Sequence, residues 1–590
     1  MLLKSMSRTA GASSRALQTK DTQWYDRVPQ RTLLASAVAS CLMLGAPTAV
    51  GQSASANLRG QVTAESGPAA NADVVATNLS TGAVRRTRTS ADGSYVLVGL
   101  PPGTYTVESG GITDRVTLSV ASNATLNLQP GAAGAEGIEN ITVVGYQRSA
   151  PDVLTSEVGT TVSPRLIQQL PQATRNFLEF ADTVPGMAFT TDPQGFTTLR
   201  GGATSTNASN LYIDGVGQKS YVAAGGIAGQ NQTRGNPFPQ LAIGEYKVIT
   251  SNYKAEYGQV AGAAVTAVTR SGTNEFEAEA YYRYTDEGLR TERPDEQAPD
   301  VEKVDSQTKE YGFAVGGPII QDRLHYFLAY EYKDLIAPRS VTPDPNASDF
   351  VQFLPADVQA QFGPQDVPFE EDLVFGKISW NATDDDLFDL SVQYRDEVQV
   401  DSVGERRAAD HGRDAVNKDE RVTFRWERSA YAWFNEVQFG LEDTESNPLP
   451  RSIGNGLKYT RFNRNPDGSV QDEWVLIEAG PAGGLDAQAR KQDGWWIADD
   501  LTFTDFEWHG AHTLKAGVSY KDIELTAQDG GSINPQFAFE VDPGGVAAQP
   551  YRVDFLAPFA VPGQRATVVT DAKQYGFYIQ DDWAVNDKLI

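Results

Sequence analysis

The 590-residue sequence predicts a mainly β protein: a small N-terminal β-sandwich, a mixed α/β body, and an incomplete antiparallel transmembrane β-barrel. Three observations carry that prediction. Beyond residue 274, apolar and polar residues alternate in runs of about ten, the length and pattern of a membrane-crossing β-strand. Residues 57–130 hold shorter alternating runs punctuated by tight-turn residues, as in a sandwich. After the leader, no stretch approaches the ~20 apolar residues a membrane helix needs, so a membrane reading requires a closed barrel.

The first segment is a leader. An apolar run over residues 33–50 follows Arg27 and Arg31 and is broken by Pro47, which describes a secretory signal better than a spanning helix. Cleavage is expected after Ala56, where Ala54-Ser55-Ala56 fits the small-x-small rule, or nearer Gly51. A rival lipoprotein reading rests on Val38-Ala39-Ser40-Cys41, but Leu42, Met43 and Leu44 carry the apolar run past the cysteine. Cys41 is the single cysteine, so no disulfide can form within the chain. With 49 basic against 76 acidic residues, the net charge of −27 argues against a nucleic-acid partner, which needs clustered Lys and Arg.

In residues 57–130, Asp92-Gly93 and Pro101-Pro102-Gly103 mark tight turns, the first because both residues tolerate positive φ. Tyr105 and Val107 then point to one face. Asp92, Gly93, Tyr95, Leu100, Pro102, Gly103 and Tyr105 resemble the D-G-x-Y and L-x-P-G-x-Y signature of the carboxypeptidase regulatory-like domain. That resemblance implies a transthyretin-like sandwich without a catalytic site, serving as a spacer or binding carbohydrate or peptidoglycan.

Residues 131–152 form a Gly- and Ala-rich linker that carries one conspicuous strand, Glu139-Asn140-Ile141-Thr142-Val143-Val144-Gly145. A tethered strand with no partner can be an extra strand of the sandwich, or can add to a sheet edge in another protein through main-chain hydrogen bonds. Its position resembles that of the TonB box, the segment by which the inner-membrane TonB complex engages its receptors.

The mixed body spans residues 153–273. Residues 164–170 and 175–182 read as short helices, and Gly-rich strands and turns follow. Leu199-Arg200-Gly201-Gly202, Leu211-Tyr212-Ile213-Asp214-Gly215-Val216, Ile243 to Thr250, Ala255-Glu256-Tyr257-Gly258 and Val268 to Asn274 occur in that order. The series resembles the plug of TonB-dependent outer-membrane receptors, in particular their Oar-like branch. The resemblance implies that Arg200 lies at the plug–wall contact beside barrel carboxylates; an ordinary surface arginine is the alternative. Gly201-Gly202 lacks the Gly-Lys-Ser/Thr ending of a phosphate loop.

Residues 274–590 supply the barrel. Phe276, Ala278, Ala280, Tyr282 and Tyr284 share one face, and Leu324, Tyr326, Leu328, Tyr330 and Tyr332 repeat the device. So do Phe388 to Tyr394, Tyr431 to Leu441, Leu514 to Tyr520 and Tyr575 to Ile579. Residues 383–386 read as a short periplasmic turn, and residues 285–308 and 447–494 as longer, mostly polar outer segments. About ten strands are expected, against about 22 in plugged transporters, so the sequence reads as a fragment of a longer receptor.

Chemistry motifs are sparse. His509-Gly510-Ala511-His512 reads as a turn, the acidic runs at 384–386, 499–500 and 581–582 as exposed strand ends, and no nucleophile elbow or zincin motif occurs. No enzyme activity and no cofactor is expected. The resemblance implies energised uptake at the cell outer membrane, with the TonB complex, membrane lipid and an unknown small ligand, carbohydrate or peptide, as partners. A surface adhesion or glycan-binding protein is the alternative.

Overall fold

The computed structural model describes residues 54–129 and 155–585, apart from 173, 193, 203, 293–295, 298–302, 484–487, 530–533 and 555–566. The expected leader up to residue 53 and the strand expected at Glu139–Gly145 lie outside the described residues.

The N-terminal domain is a two-layer β-sandwich. One layer orders strands Ser94–Leu100, Ala56–Gln61 and Asn123–Thr125; the other orders Val84–Arg88, Asp73–Asn78, Gly103–Ser109 and Ile112–Leu118. Leu58, Val74, Leu97, Leu100, Tyr105 and Val107 fill the space between them. The signature residues now have physical roles. Gly93 takes φ +83° while the Asp92 carboxylate accepts from the Ser94 N–H at 2.9 Å. The two signature tyrosines bury their rings and satisfy their hydroxyls on backbone oxygens, Tyr95 on Leu126 at 2.8 Å and Tyr105 on Pro101 at 2.7 Å. Ala54 and Ala56, expected in the leader, are buried in this domain, and Ala56 pairs with Leu100. The folded sandwich therefore begins before residue 57.

The middle body is a five-stranded mixed sheet in the order Val158–Val162, Ile243–Ser251, Ala264–Thr269, Asn210–Ile213 and Val216–Gly217, with a hairpin of Met187–Thr191 and Thr197–Gly201 beside it. The helix Pro164–Gln169 starts as its sequence dictates: Ser163 caps it and proline occupies the first turn, where its missing N–H costs nothing. The second expected helix is a 3₁₀ segment, Phe177–Thr183, capped by Asn176. Phe177, Leu178, Tyr246, Val248 and Val265 form a core that continues into Ala314, Phe327, Ala329 and Phe375 of the barrel.

Those four residues belong to a ten-stranded antiparallel sheet in chain order: β1 (Glu277–Asp286), β2 (Gln307–Ile320), β3 (Leu324–Ile336), β4 (Pro368–Asn381), β5 (Asp386–Asp401), β6 (Arg413–Ser429), β7 (Trp433–Pro450), β8 (Gln488–Glu507), β9 (Ala511–Asp529) and β10 (Thr567–Ala584). Among the described residues β1 and β10 do not pair, so the sheet is an open wall. Alternation along each strand turns one set of side chains to the plug and the other outward. Phe276, Tyr282, Leu390, Phe424, Leu441 and Ile579 are exposed on the outer face, as their spacing predicts. Tyr281, on the opposite face of β1 from Ala280 and Tyr282, faces inward beneath Arg175.

Short turns close one end of the wall and long connections leave the other. β7 reaches Pro450 and β8 begins at Gln488, so residues 447–450 and 488–494, expected in an outer connection, extend the strands instead. The long connections are not loose. Strands Gly456–Arg464, Val470–Ala479 and Gln536–Asp542 pack with the 3₁₀ segment Pro345–Phe353 around Val341, Tyr459, Leu476, Ile477 and Val541. They make a separate cap with its own core. No helix among the described residues is long and apolar enough to cross a membrane.

Candidate functional site

Three polar clusters seat the plug in the wall, each built from inward positions of the alternating strands. The first surrounds Arg395 of β5, which is 1% exposed. Its Nε donates to the Asn236 carbonyl at 3.0 Å and meets Glu371 at 3.3 Å, and its Nη2 pairs with Glu397. The Asn236 N–H in turn donates to Glu371 at 2.8 Å. Next to this cluster, Arg175 of the plug pairs with Glu331 of β3 at 3.3 Å, and its guanidinium lies 3.7 Å from the centre of the Tyr281 ring. Glu331 also accepts from the Leu241 N–H at 2.8 Å.

The second cluster uses the Asp-Gly turn of the plug. Asp214 and Gly215 both adopt positive φ, +48° and +84°, as that turn requires. The Asp214 carboxylate accepts from the Thr269 N–H at 2.8 Å and pairs with Lys377 of β4 at 3.0 Å. Burial alone would raise this carboxyl, but Lys377 and Arg425 outweigh it and hold its pKa below the usual carboxylate value. Lys377 reaches Asp389 at 3.8 Å, and Asp389 pairs with Arg425.

The third cluster uses the Ala255-Glu256-Tyr257-Gly258 motif. Glu256 pairs with Lys515 of β9 at 2.6 Å, and Lys254 pairs with Asp582 of β10 at 2.8 Å. Here too burial is outweighed, by Lys515 and Lys254, and the Glu256 pKa falls. Tyr257 packs edge-on against Tyr212 with centroids 5.8 Å apart, which brings two of the plug motifs together. Gly201 is held close to Ala263, where a side chain would meet the Ala263 Cβ at 2.6 Å. Gly202 turns the chain at φ +61°.

Arg200 meets no wall residue among the described pairs. It is exposed on the Thr197–Gly201 strand because Leu199 and Gly201 take the inward positions, and among the described residues no ion pair reaches it. Arg175 fills the role expected of it. Asp500 also departs from expectation. It is 1% exposed, lies within β8 and accepts from the Tyr578 hydroxyl at 2.6 Å, so it is an inward residue rather than a strand end. The wall residues Arg395, Glu371, Glu397, Lys377 and Lys515 were not singled out from the sequence. Their signal was charge of both signs at inward positions of amphipathic strands.

At the end of the plug with the long connections lies a cavity of about 590 Å³. Its floor includes the plug segments at Gln194–Phe196 and residues 228–233, and its walls reach β5, β6 and the cap. Among the described residues it is lined by both signs of charge, including Arg395, Arg413, Arg490, Asp401, Glu445 and Glu478. Arg413 pairs with Asp401 at 3.0 Å and Arg407 with Glu478 at 3.2 Å, so the lining is polar and two-signed, with basic side chains in modest excess. The volume lies within the roughly 300–1,000 Å³ of small-ligand sites.

Residues 57–130 match the carboxypeptidase regulatory-like domain family. Residues 268–343 and 334–590, more than half of the chain, match the family described as outer membrane beta barrel domain. Over 284 residues, 45% of this chain, the sequence is 28% identical to the TonB-dependent transporter Oar of Myxococcus xanthus. The outer membrane transporter YddB of Escherichia coli shares the fold, with a TM-score of 0.52 and 13% identity over 72% of this chain. The matched part spans 25% of the length of Oar and 54% of that of YddB.

Proposed function

The chain belongs to the outer membrane beta barrel domain family, and from that premise we propose that it serves as a TonB-dependent receptor for energised uptake of a small ligand. The protein resides in the outer membrane with its sandwich in the periplasm. The observation that carries the reading is the plug: its loops floor the outer cavity, while buried ion pairs fasten it to the wall. A ligand resting on those loops has to wait for the plug to move. The two-signed polar lining suits a carbohydrate or a peptide, which offers both donors and acceptors.

Energy is proposed to enter through Glu139–Gly145. Ile141 to Val144 supply the β-prone strand that TonB would pair by edge addition, and force on it would remodel the plug. Cells carrying the full-length receptor, offered labelled oligosaccharides and oligopeptides, test this. Deleting residues 139–145 should abolish accumulation that depends on the proton gradient and leave surface binding intact. Accumulation that survives the deletion refutes the coupling.

A further inference from the structure

We propose that the N-terminal sandwich is a latch, docked across the short-turn end of the wall and the plug, that must lift before the plug can move. The proposal rests on the uptake reading for its purpose, but its geometry stands apart from it. Arg85 of the sandwich is 3% exposed, and its Nη2 meets the buried Glu427 of β6 at 2.6 Å. Beside it, Arg86 pairs at 2.6 Å with Asp384 in the turn between β4 and β5. The Thr87 hydroxyl donates to the Tyr431 carbonyl at 3.1 Å, and Arg88 lies 4.5 Å from the centre of the Tyr431 ring. One sandwich strand, Val84–Arg88, thus grips two successive turns of the wall.

The same domain also holds the plug. The Val120 N–H donates to Glu245 at 2.8 Å, and Lys247 donates to the Ala121 carbonyl at 2.9 Å while pairing with Glu157 at 3.1 Å. Glu157 directly precedes Val158–Val162, the edge strand of the plug sheet. Through the wall, charge also joins the sandwich to the Asp-Gly turn of the plug. Asp214 meets Lys377, Lys377 meets Asp389, Asp389 meets Arg425, Arg425 meets Glu427 at 3.2 Å, and Glu427 meets Arg85. Removing a member of such a buried chain leaves a neighbour's charge without its partner, so the sandwich and the plug stabilise one another.

Connectivity gives the latch its trigger. Residues 130–154 join the sandwich to the plug, and Glu139–Gly145 lies between the two attachments. Tension applied there loads both bodies at once. The sandwich is held at the end of the wall through Arg85 and Arg86, whereas the plug is seated along it by three buried clusters, so the sandwich yields first.

Two measurements on the purified full-length receptor test this without any ligand. In the first, amide hydrogen exchange is followed in residues 158–162 and 243–251, with β9 and β10 as reference. Arg85→Glu should speed plug exchange at least tenfold and leave the reference unchanged. Arg86→Asp should speed it several-fold, and Arg86→Asp combined with Asp384→Arg should restore the wild-type rate. In the second, the receptor is pulled from a handle on Thr142→Cys, with Cys41→Ser. The wild type should show release of the sandwich before extension of the plug, and Arg85→Glu should lose the first event. Plug exchange at the wild-type rate in a variant whose sandwich has become exchange-labile overturns the latch, as does plug extension preceding sandwich release. Neither measurement reads uptake, so a failed latch leaves the uptake proposal standing and the reverse also holds.

Discussion

Replacing Arg395 by methionine tests how the plug is seated. The change removes the 3.0 Å hydrogen bond to the Asn236 carbonyl and both carboxylate contacts, leaving Glu371 and Glu397, 1% and 0% exposed, beside each other without their shared cation. Taking one partner from a buried ion pair costs about 3–5 kcal/mol, and methionine returns some packing, which argues for the lower end. The cost falls on the plug, because Thr233 and Asn236 belong to a plug loop while β5 is paired on both sides. At about 1.4 kcal/mol per decade, a loss of ~3 kcal/mol raises the open population of that loop on the order of 100-fold. Amide exchange over residues 229–251 of the purified receptor reads this directly, with β8–β10, which hold no member of this cluster, as an internal standard. Adding Glu371→Gln and Glu397→Gln to the methionine variant should recover most of the loss, since no like charges then face each other. Exchange within twofold of the wild type in Arg395→Met, or no recovery in the triple variant, refutes the assignment of Arg395 as the central fastener.

Gly235→Ala tests the same cluster by crowding. An added Cβ would run into the carboxylates of Glu371 and Glu397 and lie 2.9 Å from the Arg395 guanidinium, all buried ends with nowhere to swing. The expected cost is about 1–3 kcal/mol, read as plug release at lower urea, with the wall unaffected. On the outer face, Leu390→Arg should weaken refolding into lipid vesicles by about 2–4 kcal/mol if the residue lies near the bilayer centre, whereas a wall packed against protein would not discriminate lipid from detergent. In the cap, His411 Nδ1–H donates to the Gly480 carbonyl at 3.0 Å, and burial lowers its pKa below the ordinary 6.5 despite Glu478 nearby. The unfolded cap then binds a proton near pH 6.5 that the folded cap still refuses. Cap stability should fall as pH drops from about 6.5 toward the depressed value, by up to about 1.4 kcal/mol per pH unit. Proteolysis of the cap at pH 5.5 and 7.5 checks it, and His411→Gln should flatten the difference.

Period-2 alternation made the wall legible. The outward set from Phe276 to Ile579 could be read because lipid contact demands apolar residues at every second position, whatever the partner strand. The inward set was legible only in part. Parity places Lys377, Arg395 and Lys515 inside, but their partners lie 163, 159 and 259 residues away, and no local pattern encodes such pairings. The turn glycines read correctly because positive φ leaves few residues to choose from. Arg200 was assigned by motif alone, while the alternation around Leu199 leaves it exposed among the described residues. The cap was hidden for another reason: its core is pooled from separate connections, and each one alone, such as 456–479, carries too few apolar residues to announce a domain. The docking of the sandwich left no trace in sequence, since Arg85 and Arg86 look like any strand arginines.

The pooled core of the cap has a consequence for how this surface can drift. Tyr459, Val341, Ile477 and Val541 come from three different stretches of chain, so a swap in one connection must be tolerated by the others. Variation therefore has room at protruding tips such as Ile453, which is 82% exposed, and little elsewhere on the globule. Related strains should differ most in those tips and retain the rest as a unit inherited together.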